Sequence, residues 1–187
     1  MASRNDIMVI HNGVDLELYS RIYREVTINT GSRSLYEIAF LGDLNWEYYM
    51  LDRIIEGFSV AGNKGLAIRL KIIGDGATRR RPENIARKLR IQGMVSLKGY
   101  LDRETLVREL IASDLAITGR PLSRDLWNLT SMRSTIYEYI GAGLPILSFG
   151  PEHSYIERFI KHHSLGLYIG SIEPEDIEES IAVMIVD

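Results

Sequence analysis

The sequence predicts an α/β domain: a doubly wound, mostly parallel β-sheet with helices on both faces. Three observations predict it. Short apolar runs alternate with longer amphipathic segments along the whole chain. Glycines close several of those runs, at Gly42, Gly74, Gly99 and Gly119. The stretches between runs are helical in pattern, so successive strands lie parallel, and right-handed crossovers place helices on both sides of the sheet.

Taken in order, a short strand is expected at 7–10, ended by the turn at Asn12-Gly13. A buried strand follows at 37–41 and stops at Gly42. Residues 47–61 set Met50, Leu51, Ile54, Ile55 and Phe58 at helical spacing. The next strand, 68–73, runs into Gly74-Asp75-Gly76. A helix at 81–92 carries Pro82 in its first turn, where a missing N–H costs nothing. A strand at 94–97 leads to a helix capped by Asp102 and ending at Leu110. After a strand at 115–118, a polar connection from Gly119 to Leu129 joins a helix at 132–140. A strand at 146–149, a helix at 154–162, a strand at 167–169 and a helix at 174–186, started by Pro174, complete the pattern. No repeat, low-complexity stretch or linker interrupts it, so 1–187 reads as one domain. The chain starts almost at a strand and stops after an apolar helical run, as a domain excised from a longer polypeptide would; a naturally short single-domain protein is the alternative.

Bulk properties narrow the function. With 187 residues, 45% hydrophobic and 25% charged, the chain can bury a sizeable core. A net charge of -3 gives no footprint for nucleic acid. The dense basic run, Arg79-Arg80-Arg81, reads as a solvated helix start. There are no cysteines, which excludes disulfides, thiol catalysis and cysteine-based zinc sites and fits a cytoplasmic protein. No stretch approaches the ~18 apolar residues of a membrane span. His153, His162 and His163 lack carboxylates at ligand spacing, so no metal site is expected.

The segment from Met132 to Phe149 carries the most chemistry. It reads as a helix with a polar, cationic first turn (Arg133, Ser134, Thr135), a carboxylate at Glu138, a Gly141-Ala142-Gly143-Leu144-Pro145 stop and a buried strand. A helix start offers unpaired N–H groups to phosphate, and Glu138 can accept from sugar hydroxyls. Glycines placed after strands allow a ligand close to the backbone at the carboxyl edge of the sheet. A dinucleotide site fits poorly: Gly74-Asp75-Gly76-Ala77-Thr78-Arg79 lacks the third glycine, and no acidic residue ends the following strand. No P-loop lysine pattern exists.

Several segments, in order, resemble one family. They are Val9-Ile10-His11-Asn12-Gly13-Val14-Asp15, Ala39-Phe40-Leu41-Gly42-Asp43-Leu44, Leu70-Lys71-Ile72-Ile73-Gly74-Asp75-Gly76, Val95-Ser96-Leu97-Lys98-Gly99-Tyr100, Ala112-Ser113-Asp114-Leu115-Ala116, and Glu138-Tyr139-Ile140-Gly141-Ala142-Gly143-Leu144-Pro145. Together they look like the C-terminal, donor-binding, Rossmann-like half of retaining GT-B nucleotide-sugar glycosyltransferases, the glycosyl transferases group 1 family. The resemblance implies transfer of a sugar from a nucleotide-sugar to an acceptor, with no metal or other cofactor. The acceptor would meet an N-terminal domain absent from this chain, and any peripheral membrane contact would be made through that domain. It implies that Gly42 and Asp43 face the donor diphosphate and that Lys98, Gly99 and Tyr100 meet the base, mostly through backbone. Arg133, Ser134 and Thr135 would face the diphosphate and Glu138 the ribose, while no catalytic residue is assigned.

The chain departs from the family at two places. Thr130 stands where the family's first glutamate belongs, and Gly42-Asp43-Leu44-Asn45-Trp46-Glu47-Tyr48 lacks the family's diphosphate-binding cations. Arg133, with Arg120 and Arg124 on the preceding loop, is the expected substitute; the alternative is a solvent-facing Arg133. Two other functions stay open: a non-catalytic binding or assembly module, and a nucleotide-sugar epimerase. His11 stands where the family often has proline and is read as loop geometry. Trp46, Tyr48 and Tyr49 are read as packing at a helix start.

Overall fold

The apolar runs form a six-stranded parallel sheet in the order β3-β2-β1-β4-β5-β6. The computed structural model describes residues 8, 10–26, 34–45 and 50–186. Its strands are β1 (Tyr36–Leu41), β2 (Ile68–Ile73), β3 (Val95–Gly99), β4 (Leu115–Gly119), β5 (Ile146–Phe149) and β6 (Gly166–Ile169). The order reverses between β1 and β4, which makes their carboxyl ends the topological switch point of a doubly wound Rossmann-like fold.

Alternation along the strands divides the core in two. Ile38 and Phe40 of β1, with Leu70 and Ile72 of β2 and Ile117 of β4, face α2 (Leu51–Asn63), α3 (Arg80–Lys88) and α8 (Pro174–Val186). Ala39, Ile73, Ala116 and Ile146 face α1 (Leu16–Glu25), α4 (Arg103–Ile111), α6 (Thr135–Gly141) and α7 (Tyr155–His162). On this second face the adjacent pair Ala39 and Ala116 is small, and the fully buried Tyr139 of α6 belongs to the same cluster.

Helix starts follow the sequence logic. Asp15, Asp102 and Ser154 cap α1, α4 and α7 by accepting from the backbone N–H of Leu18, Thr105 and Glu157. Pro82 falls in the first turn of α3. At α2 the preceding Met50 is left-handed, with φ 50°, and offers no side-chain cap. Helix α8 crosses α2 at Gly57, where an added Cβ would lie 2.8 Å from Ile177.

Some expectations need correction. Of the strand expected at 7–10, Ile7 and Val9 lie outside the described residues, and Met8 and Ile10 are exposed and not in a strand. Helix α1 was not anticipated: Leu18, Tyr19 and Ile22 stand at helical spacing and pack into the second core, but the helix is only ten residues long. The connection from Gly119 to Leu129 contains a short helix, α5 (Leu126–Thr130), capped by Asp125. The helix expected at 132–140 begins only at Thr135, the one expected at 81–92 ends at Lys88, and α2 begins at Leu51. Gly99 and Gly119 close β3 and β4 from within rather than following them. Trp46, Tyr48 and Tyr49 lie outside the described residues.

Gly74 and Gly76 lock the loops together. A Cβ at Gly74, where φ is +136°, would stand 1.9 Å from the Gly42 carbonyl oxygen. At Gly76 it would stand 2.4 Å from the Asn45 nitrogen. The bare backbone is therefore a packing requirement here. Gly74→Ala should cost on the order of 3 kcal/mol through combined strain and clash, read as a lowered urea midpoint.

Candidate functional site

Strands β1 and β4 pair only at Ile38–Leu115 and Ala39–Ala116, then diverge. Divergence leaves main-chain groups without a ladder partner, and α6 supplies them. The Leu41 N–H donates to the Tyr139 phenol at 2.8 Å. Burial pushes that phenol up to about 12, so it stays neutral at physiological pH. Arg133, just ahead of α6, lies in the same crevice. Its Nη1 donates to Thr118 Oγ1 at 2.7 Å and to the Gly119 carbonyl at 3.4 Å; its Nη2 donates to the Leu41 carbonyl at 3.4 Å. The guanidinium also sits 5.8 Å from the centre of the Phe40 ring. Arg133 is only 6% exposed, which overturns the solvent-facing alternative.

A cavity of about 780 Å³ opens at this point. Gly42 and Asp43 after β1 form one wall, Arg120 after β4 another, and Arg133, Ser134 and Thr135 its inner end. Asp125, Trp127 and Asn128 of the α5 region close the remaining side. Arg120 is 9% exposed, with its guanidinium 5.9 Å from the centre of the Trp127 ring. Asp125 accepts from the Asn128 N–H at 2.9 Å and from Ser123 and the Asn128 amide, and these bonds hold its carboxyl below the usual range.

The wall at Gly42 is held by its neighbours. The Asn45 side chain accepts from the Ala77 N–H at 2.8 Å, and the Leu44 N–H donates to the Asp75 carbonyl at 3.0 Å. Asp43 accepts from the Asn45 N–H at 2.9 Å, so its carboxylate folds back on its own loop. The Gly74 N–H donates to the Gly99 carbonyl, which laces the β3 end into the same edge.

The remaining expected residues lie apart from the cavity lining. Glu138, one turn along α6 from Thr135, accepts from the Tyr19 phenol at 2.5 Å and from Arg103 at 2.6 Å. Lys98 pairs with Glu109 at 2.9 Å. Tyr100 projects into solvent, 85% exposed. His11 belongs to a ring cluster with Tyr137, Tyr155 and Phe159, and its Nδ1 lies 3.1 Å from the Tyr137 hydroxyl. Thr130 donates to the Leu126 carbonyl of its own helix at 2.7 Å. Among the described residues no group of three or more histidines and carboxylates is placed to hold a metal.

Asp125, Trp127 and Asn128 were not anticipated as site residues. The signal available was an aspartate three residues ahead of an asparagine, a cap pattern, in a stretch too short to show helical periodicity. Nothing in the sequence says that the Tyr139 hydroxyl reaches a strand.

The order of the sheet, with a cavity at its switch point, defines a doubly wound, Rossmann-like α/β domain. The comparisons narrow the class. The family model "Glycosyl transferases group 1" matches residues 31–187, so the chain belongs to that family. No curated protein matches it by sequence. Solved structures similar to it include WaaG, described as a glycosyltransferase involved in lipopolysaccharide biosynthesis, at 18% identity and TM-score 0.70, covering 99% of this chain and 49% of that one. Anabaena HepE, solved with UDP and glucose, is 15% identical at TM-score 0.71, covering 96% and 47%. A Rickettsia africae glycosyltransferase is 13% identical at TM-score 0.72, covering 98% and 48%. The fold is thus that of GT-B glycosyltransferases, consistent with a C-terminal domain, and the chain spans about half the length of these structures. Among the described residues no helix is long and apolar enough to cross a membrane.

Two outcomes follow from the site's construction. Tyr139→Phe leaves the Leu41 N–H without its partner and should cost about 1–3 kcal/mol, measured by urea unfolding. Acid should also destabilise the domain. Burial alone would raise the Glu109 carboxyl, but Lys98 and Lys71 hold it below its ordinary value. Stability from that group is therefore full above the unfolded pKa of about 4.3 and lost as pH falls through the lower folded value. Urea midpoints taken from pH 7 to pH 3 should fall, and Glu109→Gln should shrink that fall.

Proposed function

We propose that this domain binds a nucleotide-sugar donor at the β1–β4 switch point and acts in glycosyl transfer when joined to an acceptor-binding domain. The observation that carries the reading is the cavity between Gly42 and Arg133, with two nearly buried arginines in its wall, in a member of a glycosyltransferase family. Guanidinium groups suit diphosphate oxygens. Arg133 and Arg120 thus stand in for the cations missing after β1, with Ser134 and Thr135 beside them. Glu138 holds the ribose, and the Lys98-Gly99-Tyr100 end of β3 faces the base through its backbone. HepE, solved with UDP and glucose, supports a nucleoside diphosphate ligand. Transfer needs no metal in this reading. The absence of cysteine fits a cytoplasmic setting. Alone, the domain binds donor and catalyses nothing, because the other half of the cleft positions the acceptor.

Thr130 favours a second reading. Its hydroxyl is turned back onto the Leu126 carbonyl, and the family's carboxylate is missing there, as a non-catalytic binding module would allow. Activity of the two-domain protein separates the two readings.

The first test is thermal unfolding of the domain with UDP, GDP, ADP and CMP and their sugar conjugates. A true ligand at ~100 times its dissociation constant should stabilise by roughly 2.7 kcal/mol. Arg133→Met should abolish that shift. No shift with any ligand at millimolar concentration would sink the reading.

A further inference from the structure

Glu138 uses its two carboxylate oxygens unequally. Both of its protein donors, the Tyr19 phenol at 2.5 Å and Arg103 Nη1 at 2.6 Å, fall on Oε2. Among the described residues no hydrogen bond or ion pair falls on Oε1. An arginine and a carboxylate can pair through both oxygens in a fork. Asp52 does so in this protein, accepting from Arg81 Nε at 3.1 Å on one oxygen and 2.9 Å on the other. At Glu138 one oxygen is anchored and its neighbour is left presented, on a side chain 22% exposed.

The anchors are themselves fixed. Tyr19 is 3% exposed, and Gly141 makes room for it: a Cβ there would lie 3.0 Å from its ring. Arg103 opens α4 directly after the Asp102 cap, with its guanidinium 5.6 Å from the centre of the Tyr19 ring. Helix α1 is tied to α4 by Arg21 with Glu104 at 2.5 Å and by Arg108 with Glu25. Burial and the Glu138 carboxylate hold the Tyr19 phenol well above its ordinary value, so it remains a donor. A carboxylate oxygen held this way accepts and cannot donate. It repels phosphate and selects a neutral hydroxyl.

We propose that Tyr19 and Arg103 are positioning residues for ribose recognition, clamping Oε2 of Glu138 so that Oε1 is aimed at a ribose hydroxyl of the bound nucleotide. This rests on the nucleotide-sugar reading above and adds α1, a helix outside the cavity, to the machinery that recognises the donor. The clamp removes the rotation that would otherwise be lost on binding.

The test is calorimetric titration of the 187-residue chain with UDP, GDP and ADP, each beside the dideoxyribose analogue that lacks both ribose hydroxyls. Wild type should bind its preferred ribonucleotide more tightly than the analogue. Tyr19→Phe should lower ribonucleotide affinity about tenfold and leave the analogue's affinity unchanged. Arg103→Gln, at a side chain 42% exposed, is the second variant and should behave alike even if the buried tyrosine change harms folding. Equal losses for both ligand forms, or no loss in either variant, would overturn the clamp while leaving the donor site standing. Failure of wild type to bind any of the three nucleotides would overturn the reading beneath it, and the clamp with it.

Discussion

The crevice between β1 and β4 is the constraint on which the site depends. A doubly wound sheet must split where its strand order reverses, and the split strands leave N–H and carbonyl groups facing each other across a gap too wide for a ladder. In this chain α6 answers with a phenol and the segment leading into it with the Arg133 guanidinium. Tyr139 satisfies Leu41 from one side, while Arg133 bridges Leu41, Thr118 and Gly119 from the other. The backbone is thereby completed at the place where a ligand would approach. A buried arginine is costly unless its donors are used, and here they meet carbonyl and hydroxyl acceptors in a rigid setting.

The same edge is stiffened laterally. Loops after β1, β2 and β3 are joined through Gly42, Gly74 and Gly99, so the wall at Gly42 and Asp43 does not depend on its own short turn for shape. Below it, under α4, Lys71 is 1% exposed and lies 3.0 Å from Glu37 and 3.3 Å from Glu109. That buried cation is matched by two half-buried carboxylates, and Lys98 shares Glu109. Charge is neutralised inside the second layer rather than at the surface.

Much of the fold was legible because parallel strands covered on both faces leave apolar runs that turns cannot mimic. All six strands lay within a residue or two of their expected places, and the cap at Asp102 was readable from residue type alone. Two elements escaped because they are short. Helix α1 carries Leu18, Tyr19 and Ile22 at helical spacing, but over only ten residues, less than the window in which the period is read, and α5 has five residues and buries only Asn128. The site was less legible than the fold. A motif could point to Arg133 and Glu138, but not to the inward turn of the first or the single anchored oxygen of the second. Those properties are set by residues far along the chain, such as Leu41 and Tyr19, and sequence patterns within one segment do not register them.

Arg133 has a bearing on how such a site can change over generations. Main-chain carbonyls, at Leu41 and Gly119, are among its acceptors. A carbonyl is present whatever side chain the position carries. Residue 41 can therefore drift among apolar types without unseating the cation, as long as the path of the strand is kept. The arginine is tethered to the course of the chain rather than to particular neighbours, which gives the surrounding loops latitude to acquire new ligand preferences around a fixed positive centre.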